Sequence, residues 1–384
     1  MTLKVCAVTS TRADWGLLAP VLALLRDDPA FDLTIVATGQ HVAVGGTVGM
    51  IADDGFTVAL SIDMALAMAQ GDDTPQAVTT SLAVALNGYG AAFARLRPDL
   101  LLILGDRYEI LGAVVAAALA GIPVAHIAGG DVTEGAVDES FRHAMTKMSH
   151  VHFVTTAEAQ RRVVQLGEDP QRVFLSGSPG LDRIRATALL DRPAFFQAVG
   201  LPPLSQSLMI TFHPETLATD TKADCTEMLA ALDRLGPGVG LVFSGTNADV
   251  QGFAIGALIA DFVSGHANSV LHPSLGSARY FSALAHVDAV VGNSSSGLYE
   301  APSFATPTVN IGDRQKGRPR AASVIDVPPR REEIHRAILR AMEMDCGGVV
   351  NPYGDGHAAG KIAAVLKALG DPRALLKKRF VDHP

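Results

Sequence analysis

Short runs of aliphatic and β-branched residues alternate with helix-length amphipathic segments along nearly the whole chain, the pattern of a parallel sheet covered by helices on both faces. "LKVCAVTS" reads as a first strand and "WGLLAPVLALLRDD" as the helix that follows it. "FDLTIVATG", "DLLLILGD", "PVAHIAGG", "HVHFVTT" and "VFLSGS" read as further strands of one sheet. The segment "LLDRPAFFQAVGLPPLSQS" loses the strand pattern and gains prolines, so it reads as a linker region. A second series of strands begins after it: "LMITFHP", "VGLVFSGT", "SVLHPS", "AVVGNSSSG" and "TPTVNIG". Two Rossmann-like halves with a cleft between them follow from this. The expected bounds are residues 1–180 for the first domain and 181–365 for the second, with 366–384 as a tail whose helix would pack back on the first. The longest apolar stretch, "ILGAVVAAALAGIPVAHIA", approaches membrane-span length. Gly121 and Pro123 divide it into a buried helix and a strand.

Composition sharpens this reading. A chain of 384 residues exceeds what one core usually supports, which favours two domains. With 48% hydrophobic and 18% charged residues it has the profile of a well-buried α/β enzyme. A net charge of −8 argues against a general nucleic-acid surface but leaves room for a local anion site. Cys6, Cys225 and Cys346 are widely spaced and lack a C-x-x-C pattern, so they read as reduced and structural. The N-terminal apolar run is too short for a signal-peptide core, and a cytoplasmic protein without a membrane partner is expected.

The unusual residues cluster where the strands end, the edge at which open parallel sheets bind ligands. There is no G-x-G-x-x-G after the first strand and no G-x-x-x-x-G-K-[ST], which removes the anchor for nicotinamide and P-loop readings. "GNSSSGLYEAP" instead offers Ser294, Ser295 and Ser296 where a strand turns into a helix, a suitable phosphate cradle. Downstream, "NIGDRQKGRPR" packs Arg314, Lys316, Arg318 and Arg320 into one loop, a candidate diphosphate clamp. Asp106, after the most apolar strand, is either a partner of Arg107 or Arg12 or a working acid or base. Asp131, Glu134, Asp138 and Glu139 follow the next strand, where crowded carboxylates push each other's pKa values apart. At least two of these four are expected to be only helix caps. His213 reads as a polar strand-exit residue and His126 as a buried, hydrogen-bonded one. No histidine or cysteine has metal-ligand spacing, so neither a metal nor a cofactor is expected.

These residues together carry a family likeness. Through "TSTRADWGLL", "ATGQH", "LGDRYE", "GGDVTEGAVDESFRHAMTKMSHVHF", "GSPGLD", "TFHPET", "NSSSGLYEAPSFATPTVNIGDRQKGR" and "NPYGDG", the chain resembles the UDP-N-acetylglucosamine 2-epimerases. Within them it is most similar to the hydrolysing branch that feeds sialic-acid-like sugar synthesis. The resemblance implies a GT-B-like α/β architecture in which two Rossmann-type domains present parallel sheets to a central cleft. UDP would be bound mainly by the second domain. It implies diphosphate contacts for Arg12, His213 and Arg318, a phosphate cradle at Ser294 to Ser296, a ribose contact for Glu300 and a uracil contact for Tyr280. It makes Asp106 a cleft aspartate essential for turnover and Asp138 a family carboxylate. Many members carry a catalytic glutamate just before the double glycine, where this chain has Ala128; Asp131 or Glu134 could take the role, or the pair is Asp106 with Asp138.

The implied reaction is elimination of UDP to a 2-acetamidoglycal, then hydration to a free 2-epimerised sugar: N-acetylmannosamine if the substrate is UDP-GlcNAc. Hydrolytic epimerisation of UDP-2,4-diacetamido-2,4,6-trideoxyglucose, on the legionaminic acid route, is the alternative. A GT-B glycosyltransferase is a second. Relatives suggest a homodimer or homotetramer.

Overall fold

The computed structural model describes residues 2–43, 47–64, 74–134, 138–214, 220–246 and 252–382. The chain divides into two compact units, Met1–Arg183 with Tyr353–Pro384, and Ile184–Pro352.

In the first unit the elements run β1 (Leu3–Thr9), α1 (Arg12–Asp27), β2 (Phe31–Ala37), α2 (Gln40–Ala43), α3 (Thr47–Asp53), β3 (Val58–Ser61), α4 (Pro75–Leu96), β4 (Leu100–Leu104), α5 (Tyr108–Leu119), β5 (Val124–Ile127), α6 (Asp138–Met148), β6 (Val151–Val154), α7 (Ala157–Gln165) and β7 (Val173–Leu175). All strands pair in parallel in the order β3-β2-β1-β4-β5-β6-β7. The central strand β4, LLLIL, is buried at every position, because helices cover both faces of the sheet. The long apolar stretch splits as expected into α5 and β5. Helix α4 is long and apolar enough to cross a membrane by length and composition; here its Tyr89 and Phe93 face pack into the core shared with α5.

Thr11 caps α1: its side chain accepts from the Asp14 N–H while Asp14 reaches back to the Thr11 N–H. Trp15, Leu18, Leu22 and Leu25 then fall on one buried face, each worth about 1.5–3 kcal/mol in burial.

The second unit continues from α8 (Asp182–Ala186), which spans the division, through α9 (Arg192–Val199), β8 (Gln206–Thr211), α10 (Thr221–Asp233), β9 (Val239–Ser244), α11 (Gly252–Ser264), β10 (Ser269–His272), α12 (Gly276–His286), β11 (Ala289–Gly292), α13 (Ser296–Tyr299), β12 (Thr308–Ile311), β13 (Val324–Val327) and α14 (Arg331–Met342). Its sheet is also parallel, in the order β10-β9-β8-β11-β12-β13. The last helix, α15 (Ala358–Lys367), belongs to the first unit.

Two expectations about organisation change. Residues 353–365 belong to the first unit, because Ala359, Ile362 and Leu366 of α15 share its core with Trp15 and Leu18, and Asp182 accepts from the Ala358 and Ala359 N–H groups. The proline-containing "linker" is packed structure: Asp191 caps α9, and Phe195 and Phe196 are buried in the second unit. Both strands that the hydrophobic pattern leaves unread, β3 and β13, are short edge strands, only partly buried.

Candidate active site

In the first unit, the chemistry gathers at the carboxyl ends of β1, β4, β5 and β6. The β1–α1 turn is built around the buried Asp14. Its carboxylate accepts from Thr9 Oγ1 at 2.5 Å, Ser10 Oγ at 2.7 Å, and the Ser10 and Thr11 N–H groups at 2.8 and 3.0 Å. Burial pushes this carboxyl up, but bonds from His41, Thr9 and Ser10 outweigh it and hold it below the usual range. The turn ends at Arg12, the exposed first residue of α1. No described residue bonds to the Arg12 side chain.

Asp106 follows β4 and pairs with neither Arg107 nor Arg12. Its partner is Arg142, from the middle of α6. Arg107 is occupied by the buried Glu109, 2.8 Å away. Arg142 is the hub of the unit: besides Asp106 it donates to the Asp131 carbonyl at 2.8 Å, Glu139 Oε2 at 2.7 Å and Thr133 Oγ1 at 2.9 Å. The sequence reading missed it.

The four crowded carboxylates separate by environment. Asp131 accepts from Thr155 Oγ1 at 2.5 Å. Glu139 accepts from the Thr133 N–H and bonds His143, which with Arg142 outweigh partial burial and hold its carboxyl below the usual range. Glu134 is exposed. Asp138, half-buried at the start of α6, is raised, first by burial and then by the negative charge of Asp106. A carboxylate paired with arginine thus lies near a second carboxyl whose pKa is raised, an arrangement that can serve general acid–base chemistry. Ala128, ahead of the double glycine, adopts φ 64, and His126 is buried with Nε2 2.7 Å from the Gly105 carbonyl, burial lowering its pKa to about 3.

In the second unit, the ends of β8 and β11 are tied by Asn293. It accepts from the His213 N–H at 2.7 Å and donates to the His213 carbonyl at 2.8 Å, fixing the half of the turn that carries this histidine. Strand β11 ends at Gly292, φ 137, where a Cβ would lie 1.9 Å from the Thr211 carbonyl oxygen, so the turn into the serine segment admits only glycine. Ser294 Oγ accepts the Ser296 N–H at 3.4 Å, and Ser296 Oγ accepts from Tyr280 at 2.5 Å. The helix they open is short: α13 has 4 residues before a 3₁₀ turn at Ala301–Phe304. Its dipole is correspondingly weak, and the donors here are hydroxyls and backbone N–H groups. Tyr280 packs beside Phe281, and burial together with the Glu300 charge pushes its phenol up.

The basic loop is partly spent on structure. Arg314 and the buried Gln315 donate to the Asn293 carbonyl, and Arg320 pairs with Asp326 at 2.5 Å. Arg318 donates to Gln315 Oε1 at 2.7 Å and lies 5.6 Å from the centre of the Tyr299 ring. The chain Arg318–Gln315–Asn293–His213 therefore joins the two candidate diphosphate contacts through side chains that the sequence reading did not single out. Cys6, Cys225 and Cys346 are buried and free, as expected.

Two parallel-sheet α/β units define a GT-B-like fold. Residues 23–367 match the family described as UDP-N-acetylglucosamine 2-epimerase. The chain is 37% identical over 327 residues, 84% of each chain, to a GDP/UDP-N,N'-diacetylbacillosamine 2-epimerase (hydrolyzing) of Campylobacter jejuni. It is 34% identical to the UDP-N,N'-diacetylbacillosamine 2-epimerase (hydrolyzing) of Legionella pneumophila, over 98% of this chain and 99% of that one. The fold is shared with the crystal structure of the UDP-GlcNAc 2-epimerase of Neisseria meningitidis bound to UDP-GlcNAc, at TM-score 0.74 and 19% identity, covering 96% of this chain and 100% of that one. The chain belongs to the UDP-N-acetylglucosamine 2-epimerase family and is an enzyme of the hydrolysing 2-epimerase kind.

Proposed function

We propose that the protein epimerises a UDP-linked 2-acetamido sugar at C2 while hydrolysing it, and that the sugar is 2,4-diacetamido-2,4,6-trideoxyglucose. The relatives from Campylobacter jejuni and Legionella pneumophila are named for that sugar, N,N'-diacetylbacillosamine, which supports the alternative substrate expected from the sequence. UDP-GlcNAc is the second candidate.

The observation that supports the mechanism is the pairing of Asp106 with Arg142 beside Asp138, whose carboxyl is raised first by burial and then by the Asp106 charge. H2 of a sugar nucleotide is not acidic until the C1–O bond to the diphosphate weakens and positive charge develops at C1. Donors around Ser294 to Ser296, His213 and Arg318, with Arg12, stabilise the departing UDP, which leaves with the bonding electron pair. Asp106 accepts H2, giving the 2-acetamidoglycal. Asp138 then delivers a proton to the opposite face of C2 while the oxygen of water bonds to C1 and its proton is released. Asp131, bonded by Thr155, and the exposed Glu134 take no part in proton transfer, while Glu300 serves the ribose and Tyr280 the cradle.

Proton NMR of each UDP-sugar incubated with the protein in heavy water tests this. Free sugar with inverted C2 and deuterium at that carbon is expected. A product that keeps its original C2 hydrogen, or a nucleotide-sugar that stays intact, overturns it. A homodimer or homotetramer is proposed with it, and light scattering at the 40.1 kDa of one chain would overturn that part.

A further inference from the structure

At the opposite, amino-terminal edge of the first unit's sheet, a small recess of about 60 Å³ lies between the starts of β6 and β7 and the C-terminal tail. β6 separates the two edges by its four residues, roughly 13 Å of strand. His150 and Arg172, the residues just before the two strands, form one wall, and Lys377, Lys378 and Arg379 of the tail form the other.

The tail is anchored by bonds that leave other cations available. Lys378 donates to the Lys147 and Ser149 carbonyls at 2.6 Å each and pairs with the buried Glu168 at 2.7 Å. Val381 N–H donates to the Gly167 carbonyl, and the Phe380 ring lies under the Lys147 ammonium at 4.4 Å. Both carboxylates in the lining are already engaged. Glu168 is held by Lys147, His152 and Lys378, and Asp169 accepts the Gln171 N–H at 2.9 Å. On the donor side, Arg172 spends one N–H on the Leu375 carbonyl at 3.3 Å, and Lys377 and Arg379 make no bond among the described residues. The Val124 N–H donates to His150 Nδ1 at 3.1 Å, so the neutral ring carries its proton on Nε2. Burial and the Lys378 charge lower the His150 pKa to about 4, which keeps that tautomer at neutral pH.

A protein of net charge −8 thus concentrates a guanidinium fork, an imidazole N–H and two unpaired cations around one recess, remote from its acid–base residues. Cationic and N–H donors lining one space of this size suit a compact oxyanion of double charge. We propose that this recess binds the phosphate group of a small molecule, as a site separate from the one that holds the substrate.

Calorimetric titration of the full chain with inorganic phosphate, and in parallel with glucose 6-phosphate, at ionic strength held constant with chloride, tests the assignment. Arg172→Ala and the double variant Lys377→Ala/Arg379→Ala should each weaken binding about tenfold or more, whereas Arg318→Ala should leave this component unchanged. Tighter binding of the monoester identifies a phosphorylated metabolite as the occupant, and equal or tighter binding of the free ion identifies phosphate itself. Lys377 and Arg379 are exposed, so their replacement leaves the fold intact and keeps the test decisive. Unchanged affinity in both variants, loss of binding in Arg318→Ala alone, or no binding beyond the chloride control overturns the proposal.

Discussion

Replacing Arg142 by methionine isolates the hub of the first unit. The guanidinium is 5% exposed and serves four acceptors: Asp106, Glu139, Thr133 Oγ1 and the Asp131 carbonyl. Removing one partner of a buried ion pair costs about 3–5 kcal/mol, because the remaining charge stays desolvated. Asp106 and Glu139 are 25% and 26% exposed, so water recovers part of that, and about 2–4 kcal/mol is the expected loss at neutral pH. For a unit of this size that lowers its melting transition by about 5–15 °C. The loss depends on pH. Glu139 has a lowered folded pKa, so its contribution is present above its unfolded value and is lost as pH falls through the folded one. Asp138 is raised and does the opposite: the folded state holds its proton more tightly, so stability rises as pH falls through that value. The part of the Arg142→Met cost carried by Glu139 should therefore shrink as the solution is acidified. Calorimetric scans at pH 7.5 and pH 4, with sugar release followed at the higher pH, measure both effects. Turnover should fall at least about a hundredfold with UDP affinity kept, and Arg142→Lys should recover part of the stability. A melting temperature within a degree of the parent at pH 7.5, with turnover retained, would refute the hub role.

Four further outcomes follow. Asp106→Asn should preserve UDP affinity and abolish sugar release, and unchanged release in a quenched-flow assay would remove Asp106 from proton transfer. Arg318→Ala should weaken UDP binding by about 1.5–3 kcal/mol in calorimetry. Gly292→Ala forces a Cβ to 1.9 Å from the Thr211 oxygen, so loss of the second unit's cooperative melting is expected, and a well-folded variant would contradict the backbone geometry. Lys378→Met should cost about 2 kcal/mol at neutral pH. Glu168 is held at about 2 against burial by His152, Lys147 and Lys378, so in the parent this stability is lost as pH falls from its unfolded value through about 2, and acid titration of both proteins should converge there.

The period of the apolar positions was enough to read the two-sheet architecture and eleven strands, because parallel strands covered on both faces appear as uninterrupted aliphatic runs, as in β4 and β8. The same logic explains what it missed. Strand β3, VALS, and β13, VIDV, each pair along one side only and are partly exposed, so neither forms a buried run. α9 was misread because prolines dominated the reading, although Pro193 lies inside the first helical turn, where a missing N–H costs nothing. The place of α15 depends on a core contact with α1 more than three hundred residues earlier, which no local pattern encodes.

The site was legible in its carboxylates and serines but not in what sets their charge. Arg142 stands between Asp138 and Met145 in a segment that reads as an ordinary polar helix, and its partner Asp106 comes from the preceding strand–helix unit. A signal was present: Met145 and Thr146, three and four positions on, are buried, so the helical period puts residue 142 on the inward face. An arginine on such a face must find acceptors, and here they are two carboxylates, the Asp131 carbonyl and the Thr133 hydroxyl. The same reasoning applies to Asn293, whose two amide atoms satisfy the backbone of His213 across adjacent strands. In both units, the residues first read as chemistry are held in place by a buried polar side chain that sequence spacing alone assigns to packing.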